Sequence, residues 1–288
     1  MNGKTVLVTG ASSGIGRATA QGLAELRAQV ILVCRDRRKG EETIAGIART
    51  VPGASLDLVI ADFASLDDVR RAADDVLSRF RDLHVLINNA ATIPGARTLS
   101  RDGIEMQFAV NHLAPFLLTN LLLSRLKACA PARIVFVSSD MHFGAKLDFD
   151  DLQSERSYAA MRVYGKTKLA NVLVTNELAR RLEGTGVTVN ALHPGVVATG
   201  IANNLAFPLN RLAKVAGLFW LSPRDGARTP IYLASSQEVS GVSGKYFEKC
   251  RERAPSPASH DVETARRLWR VSAAMSGLET VDAAACAP

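Results

Sequence analysis

Short apolar runs alternate along this chain with longer segments in which apolar residues recur at helical spacing. Runs rich in Val, Ile and Leu on both faces are typical of strands in a buried parallel sheet. We predict strands at Thr5–Thr9, Val30–Val33, Leu56–Ile60, Val85–Asn88, Arg133–Ser138, Thr188–His193 and Lys245–Phe247. Helical patterns lie near residues 14–28, 38–50, 66–80, 103–127, 158–183, 224–236 and 261–275. This β-then-α order predicts an α/β fold with one doubly wound parallel sheet of about seven strands.

The same pattern favours a single domain. The chain has 288 residues and no linker divides it, so we expect one domain over 1–277 and a loose tail at 278–288. Residues 198–222 break the β-then-α order. This segment follows the sixth strand, where we expect it to cover the carboxyl ends of the strands as a substrate lid. Its apolar members are Ile201, Leu205, Phe207, Leu209, Leu212, Val215, Leu218, Phe219, Trp220 and Leu221.

Composition narrows the class of protein. Hydrophobic residues make up 47% and charged residues 22%, the balance of a soluble globular domain. The net charge of +7 comes from cations spread along the chain, and no aromatic residues interleave with them as a base-stacking surface requires. A solvated surface with a local phosphate site is therefore favoured over a nucleic-acid partner.

Cysteine usage and apolar runs bear on location. The four cysteines form no C-x-x-C pair and no zinc pattern with histidine, so we predict a reduced, cytoplasmic location and no metal. The N-terminus shows no signal-peptide pattern, and no run reaches the ~18 apolar residues of a membrane span. We therefore predict no integral membrane segment.

A glycine-rich loop follows the first predicted strand. The run Gly10-Ala-Ser-Ser-Gly14-Ile-Gly16 lies between that strand and a helix. Gly10 permits a tight turn, Gly14 lets backbone N–H groups approach a pyrophosphate, and Gly16 lets the helix pack near the strand. The helix N-terminus would then face the anion. By itself such a turn also occurs without a ligand; its position after the first strand favours a dinucleotide.

The end of the second strand bears on which nicotinamide cofactor is used. An acidic side chain there accepts the ribose hydroxyls of NAD, whereas a basic one accommodates the extra phosphate of NADP. Arg35 offers planar donors to a phosphate, and Asp36 beside it is the candidate NAD acid. We predict that NADP(H) is preferred, with NAD(H) as the alternative.

A tyrosine and a lysine form the candidate chemical centre. Tyr164 and Lys168 are four residues apart in a helical pattern, so their side chains share a face. A phenol with a pKa of ~10 is a poor acid–base group at neutral pH, and a nearby cation lowers that pKa. Ser138 and Ser139 end a buried strand where ligands bind in open sheets, and Asn111 interrupts an apolar helix.

At this point the sequence resembles the short-chain dehydrogenase/reductase family, in its retinol-dehydrogenase-like branch. The resemblance spans nearly the whole chain. It is carried by the motifs TGASSGIG at 9–16, CRD at 34–36, DFASL at 62–66, NNAA at 88–91, NHL at 111–113, SS at 138–139, DLQS at 151–154, YGKTKLAN at 164–171 and HPGVV at 193–197. Ala91 and Phe63 depart from the residues common in the family, and neither change removes a functional group.

The resemblance implies a Rossmann-type fold and a catalytic tetrad. Tyr164 would exchange a proton with the substrate oxygen, and Lys168 would lower the tyrosine pKa and bind the nicotinamide ribose. Ser139, chosen over Ser138 from the paired-serine motif, would bind the substrate oxygen, and Asn111 would fix a water in the proton relay. It further implies that Asp62 contacts the adenine, Asn89 the adjoining ribose, and Pro194 to Thr199 the nicotinamide side. The predicted cofactor-binding residues are Gly10, Ser12, Ser13, Gly14, Ile15, Gly16, Arg35, Asp62, Phe63, Asn89, Ala90, Ala91, Tyr164, Lys168, Pro194, Gly195, Val197 and Thr199.

The implied reaction is reversible hydride transfer between NADP(H) and a carbonyl/alcohol pair on a mostly apolar small molecule. A double-bond reductase or epimerase of the same fold, and a non-catalytic cofactor-binding sensor, are the alternatives. His112 and His193 are interpreted as structural, whereas His142 could approach the pocket. We also expect a homodimer, because two helices carry more apolar residues than one face needs. These residues are Leu117, Leu118, Leu121, Leu122, Leu169, Val172 and Leu173.

Overall fold

The computed structural model describes residues 1–197 and 221–278 of the chain. Its strands are β1 (Thr5–Thr9), β2 (Gln29–Cys34), β3 (Leu56–Ile60), β4 (Val85–Asn88), β5 (Ala132–Val137), β6 (Val187–His193), β7 (Lys245–Glu248) and β8 (Arg251–Glu252). Its helices are α1 (Gly14–Glu25), α2 (Arg37–Thr50), α3 (Leu66–Arg79), α4 (Met106–Ala128), α5 (Ala160–Arg181), α6 (Pro223–Gly226), α7 (Arg228–Ser235) and α8 (Val262–Ser276).

The strands form one sheet in the order β3-β2-β1-β4-β5-β6-β7-β8. Neighbouring strands are parallel from β3 to β7, and β8 alone pairs antiparallel with β7. The strand order reverses between β1 and β4, and ligands of open α/β sheets bind at the carboxyl edge beside such a point. The predicted Rossmann-type fold is confirmed, with eight strands where about seven were expected.

Apolar side chains cover both faces of the sheet. Strands β1 and β5 are buried at almost every position, which is why their sequences show continuous apolar runs. Separate clusters of buried side chains fill the two sides, one between the sheet and α3, α4, α5 and α8, the other between the sheet and α1, α2 and α7. The sheet therefore lies between two helical layers, with a buried core on each side.

Two helices differ from their predicted form. α4 starts at Met106 where 103 was expected, and its backbone adopts a π-helical turn at Ala109–Leu113. The pattern near 224–236 is two short helices, α6 and α7. A π turn contains one more residue than an α-helical turn. The apolar spacing on either side still predicts a helix, so the sequence pattern does not reveal the π turn.

By length and composition alone, helix α4 could cross a membrane. However, 78% of its most apolar window is buried inside the fold, as in the core helix of a globular domain. The apolar residues that predicted a dimer are also buried there: Leu117, Leu118, Leu122, Leu169, Val172 and Leu173 belong to the chain's own core, and Leu121 packs against it. The chain's own core therefore accounts for these apolar residues, and the homodimer stays a prediction.

The predicted lid at 198–222 lies outside the described residues except for its last two positions. Leu221 pairs with Val197 as an isolated parallel bridge, which brings the two ends of this segment together. The predicted tail lies outside the described residues from position 279 onward.

Candidate active site

The loop between β1 and α1 takes the tight form that its glycines predict. Gly10 and Gly14 have φ angles of +65° and +52°, in the left-handed region that side chains disfavour. A Cβ on Gly16 would collide with the carbonyl oxygen of Gly10 and with the side-chain amide of Asn89. Glycine at these positions lets helix, loop and neighbouring strand approach within backbone contact.

The first turn of α1 leaves its backbone donors facing the cavity. Ser13 is the N-cap residue, yet its side chain accepts no hydrogen bond from the helix. The N–H groups of the first turn have no partner within a helix, and they attract anions together with the helix dipole. The residues present therefore fit a dinucleotide pyrophosphate at this loop.

The neighbouring strand β4 holds the loop from the other side. The Thr9 hydroxyl accepts hydrogen bonds from the backbone N–H groups of Asn89 (2.9 Å) and Ala90 (3.0 Å). The Asn89 side chain donates to the carbonyl oxygen of Thr9 at 2.8 Å. Asn89 therefore supports the glycine loop in addition to lining the cavity.

The basic cluster after β2 divides into two groups. Arg35 and Lys39 line the cavity. Arg37 and Arg38 instead face the surface, where they pair with glutamates one helical turn later in α2. Lys39 was not among the predicted binding residues. Which cations of the cluster face the cavity depends on the residue at which α2 begins, and the sequence pattern did not determine that residue.

Asp36, the candidate NAD acid, is the N-cap of α2. Its carboxylate accepts a hydrogen bond from the backbone N–H of Lys39 at 3.0 Å, and this bond lowers the pKa of the carboxyl group. Asp36 is exposed and does not line the cavity. The capping role explains an aspartate at this position without any ribose contact.

One cavity of about 570 Å³ connects the glycine loop with Tyr164 and Lys168 at the switch point of the sheet, whereas the candidate catalytic residues Asn111 and Ser139 do not line it. All predicted cofactor-binding residues line it except Gly195, Val197 and Thr199, and Thr199 lies outside the described residues. The lining residues that the sequence missed are Val33, Lys39, Ala61, Ala64, Thr92, Met106, Val110 and Val137. A cavity of about 840 Å³ at the opposite edge of the sheet contains none of the predicted site residues.

Tyr164 and Lys168 lie on one face of α5 at the end of the cavity, as their spacing predicts. The ammonium nitrogen of Lys168 lies 5.3 Å from the centre of the Tyr164 ring. Lys168 is 2% exposed, and its ammonium donates to the carbonyl oxygen of Val137 at 2.8 Å. That bond fixes the lysine against the end of β5.

Burial dominates the titration of both groups. It raises the pKa of Tyr164 to about 12, against a smaller lowering by the Ser139 hydroxyl. It lowers the pKa of Lys168 to about 7. The net shift of the Tyr164 pKa is upward because burial of the phenolate outweighs the Ser139 hydrogen bond, and the lowering expected from Lys168 stays a prediction.

The paired serines have different partners. Ser138 is buried, and its hydroxyl donates to the backbone carbonyl of Lys168 at 2.8 Å. Its hydroxyl is thus committed to joining β5 to α5, although the residue lines the cavity. The Ser139 hydroxyl instead interacts with that of Tyr164 and accepts from the N–H of Met141 at 3.3 Å. Of the two, Ser139 is the serine whose hydroxyl meets the tyrosine.

Asn111 lies in the π-helical turn of α4 and is buried. Its side-chain oxygen accepts from the N–H of Thr92 at 2.7 Å, and its amide donates to the carbonyl of the same residue at 3.0 Å. Its backbone carbonyl accepts from the side chain of Asn171 at 3.0 Å. Asn111 therefore fixes Thr92, a cavity residue, and its predicted role with a relay water stays a prediction.

The histidines have structural partners. His112 is fully buried against the Ser272 hydroxyl, and burial lowers its pKa to about 4. His142 accepts from the backbone N–H of Ser256 at 3.0 Å and bonds the carbonyl of Ser139 at 2.7 Å. It therefore points away from the cavity and supports the Ser139 loop from behind. His193 lies in an ionic cluster that the sequence did not predict.

Comparison with known proteins places the chain among its relatives. A family model described as short chain dehydrogenase matches residues 4–208. Human retinol dehydrogenase 14 is 49% identical over 96% of this chain and 88% of its own length. A solved structure of an uncharacterised protein from Mycobacterium paratuberculosis is 33% identical, with a TM-score of 0.77 over 96% of this chain and 94% of its own.

A short chain dehydrogenase from Burkholderia cenocepacia, solved in complex with NADP, is 28% identical, with a TM-score of 0.68 over 85% of this chain and 96% of its own. The residues matched by the family model include the glycine loop and the helix that carries Tyr164 and Lys168. The chain therefore belongs to the short-chain dehydrogenase family, in its retinol-dehydrogenase-like branch, and is an NAD(P)-binding oxidoreductase that acts on CH–OH groups.

Proposed function

We propose that this enzyme interconverts a carbonyl and an alcohol on a mostly apolar small molecule, with NADP(H) as hydride carrier and Tyr164 as general acid and base. The observation that carries the proposal is the single cavity that joins two unlike ends. One end presents glycine backbone and two cations, and the other presents a phenol beside a buried lysine. This arrangement suits a phosphate-bearing cofactor whose reactive ring reaches the phenol.

The proposed roles follow from the contacts of the side chains. When bound, the cofactor gives or takes the hydride. Tyr164, protonated at neutral pH because of its raised pKa, donates a proton to the carbonyl oxygen during reduction and takes it back during oxidation. Ser139, which already bonds the phenol, orients the same substrate oxygen. Lys168, fixed by the Val137 carbonyl, bonds the cofactor ribose and adds positive charge near the phenol.

Replacement of the proposed proton donor tests this assignment. We expect Tyr164→Phe to keep cofactor affinity and to lose about 10²–10⁴-fold in turnover, because only the hydroxyl is removed. The measurement is NADPH oxidation with an aldehyde, alongside a cofactor titration by fluorescence. Tyr232→Phe is the matched control, since it removes a surface hydroxyl bonded to Glu238. A Tyr164→Phe enzyme with wild-type rates contradicts the role proposed for the tyrosine.

Two cations at the cavity support the NADP preference. Arg35 and Lys39 line the cavity, and no carboxylate of the described residues lies within ion-pair distance of either. Both are thus available to the ribose phosphate that distinguishes NADP from NAD. The carboxylate that could serve NAD, Asp36, instead caps α2.

Exposed apolar side chains beside the proposed catalytic residues support an apolar substrate larger than a three-carbon carbonyl. Met141 lies two residues after Ser139, Met161 lies one helical turn before Tyr164, and Val196 follows the Pro194 loop; all three are exposed. Burying a methylene contributes ~0.8 kcal/mol, so efficiency should rise along a series of straight-chain aldehydes from propanal to decanal. A flat or falling kcat/KM contradicts this substrate class.

The organisation of the chain follows the same proposal. Residues 1–277 act as one domain in this proposal, and the lid predicted at 198–222 stays a prediction, since most of it lies outside the described residues. The cytoplasmic location stays a prediction.

A further inference from the structure

An ionic cluster lies beside the proposed catalytic residues at the carboxyl ends of three adjacent strands. Asp140 follows Ser139 directly, His193 ends β6, and Glu248 ends β7. Their ligand-type atoms lie within 4.8 Å of one another, as in a cation site. Arg253 supplies the cation, because one guanidinium nitrogen lies 2.8 Å from Asp140 and 2.6 Å from Glu248.

The cluster holds the Asp140 carboxylate from several sides. Arg253 donates to both of its oxygens, at 3.1 and 2.8 Å, and the Tyr246 hydroxyl donates to one of them at 3.2 Å. The backbone N–H of Asp140 donates to the ring of His193 at 3.4 Å. This residue is thus fixed at its side chain and at its backbone, one position after Ser139.

A strained hairpin brings Arg253 to this place. β7 and β8 are joined by Lys249 and Cys250, whose φ angles of +50° and +60° lie in the left-handed region. Side chains other than glycine rarely adopt this conformation, and where they do the surrounding structure determines it. After the turn, the N–H of Arg253 bonds the carbonyl of Tyr246 at 2.9 Å, which places the guanidinium over Asp140.

The same C-terminal segment reaches Ser139 by a second path. The N–H of Ser256 donates to His142, and the other ring nitrogen of His142 bonds the Ser139 carbonyl at 2.7 Å. Residues 253–256 therefore support both sides of one short segment: Arg253 binds the Asp140 side chain, and Ser256 acts through His142 on the carbonyl of Ser139. The fold connects a distant edge hairpin to the one serine hydroxyl that meets Tyr164.

We propose that Arg253 is a positioning residue for catalysis: its bonds to Asp140 and Glu248 fix the Ser139 hydroxyl in the orientation that binds the substrate oxygen. The inference rests on the role proposed for Ser139. Without the guanidinium, the carboxylates of Asp140 and Glu248 repel each other, and the loop that carries Ser139 shifts. A displacement of about 1 Å at a reacting group can cost ~10²-fold in rate.

A double-mutant cycle separates this positioning role from a general contribution to folding. The variants are Arg253→Gln, Ser139→Ala and the double variant, assayed with NADPH and the fastest-reduced aldehyde of the propanal-to-decanal series. We expect Arg253→Gln to lower kcat by about 10–100-fold while the NADPH Kd is unchanged. In the Ser139→Ala background the same change should have no further effect on kcat, because the group it positions is already missing. Arg253→Lys should recover part of kcat.

The matched control is Arg181→Gln. Arg181 also pairs with a carboxylate, Glu177 at 2.7 Å, and stacks on an aromatic ring, Trp269 at 4.3 Å, much as Arg253 stacks on Phe143 at 4.7 Å. It lies at the far end of α5 from Tyr164, so kcat should stay at the wild-type value.

Each outcome decides one statement. A wild-type kcat in Arg253→Gln, or equal losses in both backgrounds, overturns the positioning role. If Ser139→Ala retains the wild-type kcat, both the role proposed for Ser139 and the positioning role of Arg253 are wrong. If Ser139→Ala has a lowered kcat and Arg253→Gln does not, only the positioning role of Arg253 is wrong. If Arg253→Gln does not fold, Asp140→Asn takes its place in the same cycle, since it keeps the shape of the side chain and removes the charge that Arg253 binds.

Discussion

Removal of the Arg35 side chain should change which cofactor the enzyme prefers. Arg35 lines the cavity at the end of β2, on the side of the glycine loop, with Lys39 as a second cation at the same place. A guanidinium forms paired hydrogen bonds with a phosphate, and NADH has no phosphate at this ribose. Arg35→Ala should therefore weaken NADPH and leave NADH unchanged.

The magnitude follows from the exposure of the site. A hydrogen bond to a charged group contributes about 1.5–3 kcal/mol. Arg35 and Lys39 are exposed, so water and salt screen their charges and the lower half of that range applies. With tenfold in Kd for each 1.4 kcal/mol, Arg35→Ala should raise the NADPH Kd about 10–30-fold. Arg35→Ala with Lys39→Ala should raise it by roughly 100-fold or more, and all these ratios should shrink as salt increases.

The assay is titration of NADPH and NADH against each purified variant, followed by cofactor fluorescence. Arg38→Ala is the matched control, because it removes the same charge from the same cluster while its side chain is paired with Glu42 at 2.7 Å. Two results refute the reasoning: equal weakening of both cofactors by Arg35→Ala, or an Arg38→Ala variant that loses NADPH to the same extent.

Three further predictions follow from particular groups. Because the Asp36 carboxylate caps α2, Asp36→Ala should lower the melting temperature without changing the NADH Kd, and Asp36→Asn should restore stability. A higher NADH Kd in Asp36→Ala would show a ribose contact instead. His112, with its pKa lowered from 6.5 to about 4, favours the folded protein above pH 6.5, and about 3 kcal/mol of stability should disappear as pH falls from 6.5 to 4. The free energy of unfolding, measured with denaturant at each pH, should depend less on pH in His112→Gln than in the wild type. An equal pH dependence in the two proteins would contradict the burial of an uncharged ring. Because the pKa of Tyr164 is raised to about 12, the phenol stays protonated from pH 6 to 9, so kcat/KM for aldehyde reduction should show no loss from its ionisation while that for alcohol oxidation rises with pH. An oxidation rate that is independent of pH would show that another group takes the proton.

The sequence predicts most of the sheet because strands β1, β2, β4 and β5 are largely apolar runs that are buried on both faces. It misses β8, which has two residues and follows a turn of Lys249 and Cys250 that lacks the usual turn residues. The turn exists because of tertiary contacts, such as the bond from the Cys250 N–H to the Thr229 hydroxyl. No local pattern could indicate it.

The glycine loop and the Tyr164–Lys168 pair are also local, so their spacing predicts their geometry. Which of the charged residues after β2 line the cavity cannot be predicted from their spacing, since it depends on the residue at which α2 begins. Asp36 takes the cap position, which points Lys39 inward and leaves Arg38 at the surface. Asp140 and Arg253 are more than a hundred residues apart and share no motif, so their contact appears only in the folded chain.

The direction of the Tyr164 pKa shows why a motif alone does not determine chemistry. The Lys168 nitrogen lies 5.3 Å from the centre of the Tyr164 ring, so a full positive charge on it favours the phenolate. Burial works against the charged phenolate and raises the pKa of Tyr164 to about 12. Lys168 itself has a pKa of about 7 and is only partly charged at neutral pH. The buried pair therefore holds a protonated phenol suited to reduction, and a phenolate for oxidation requires further positive charge in the cavity.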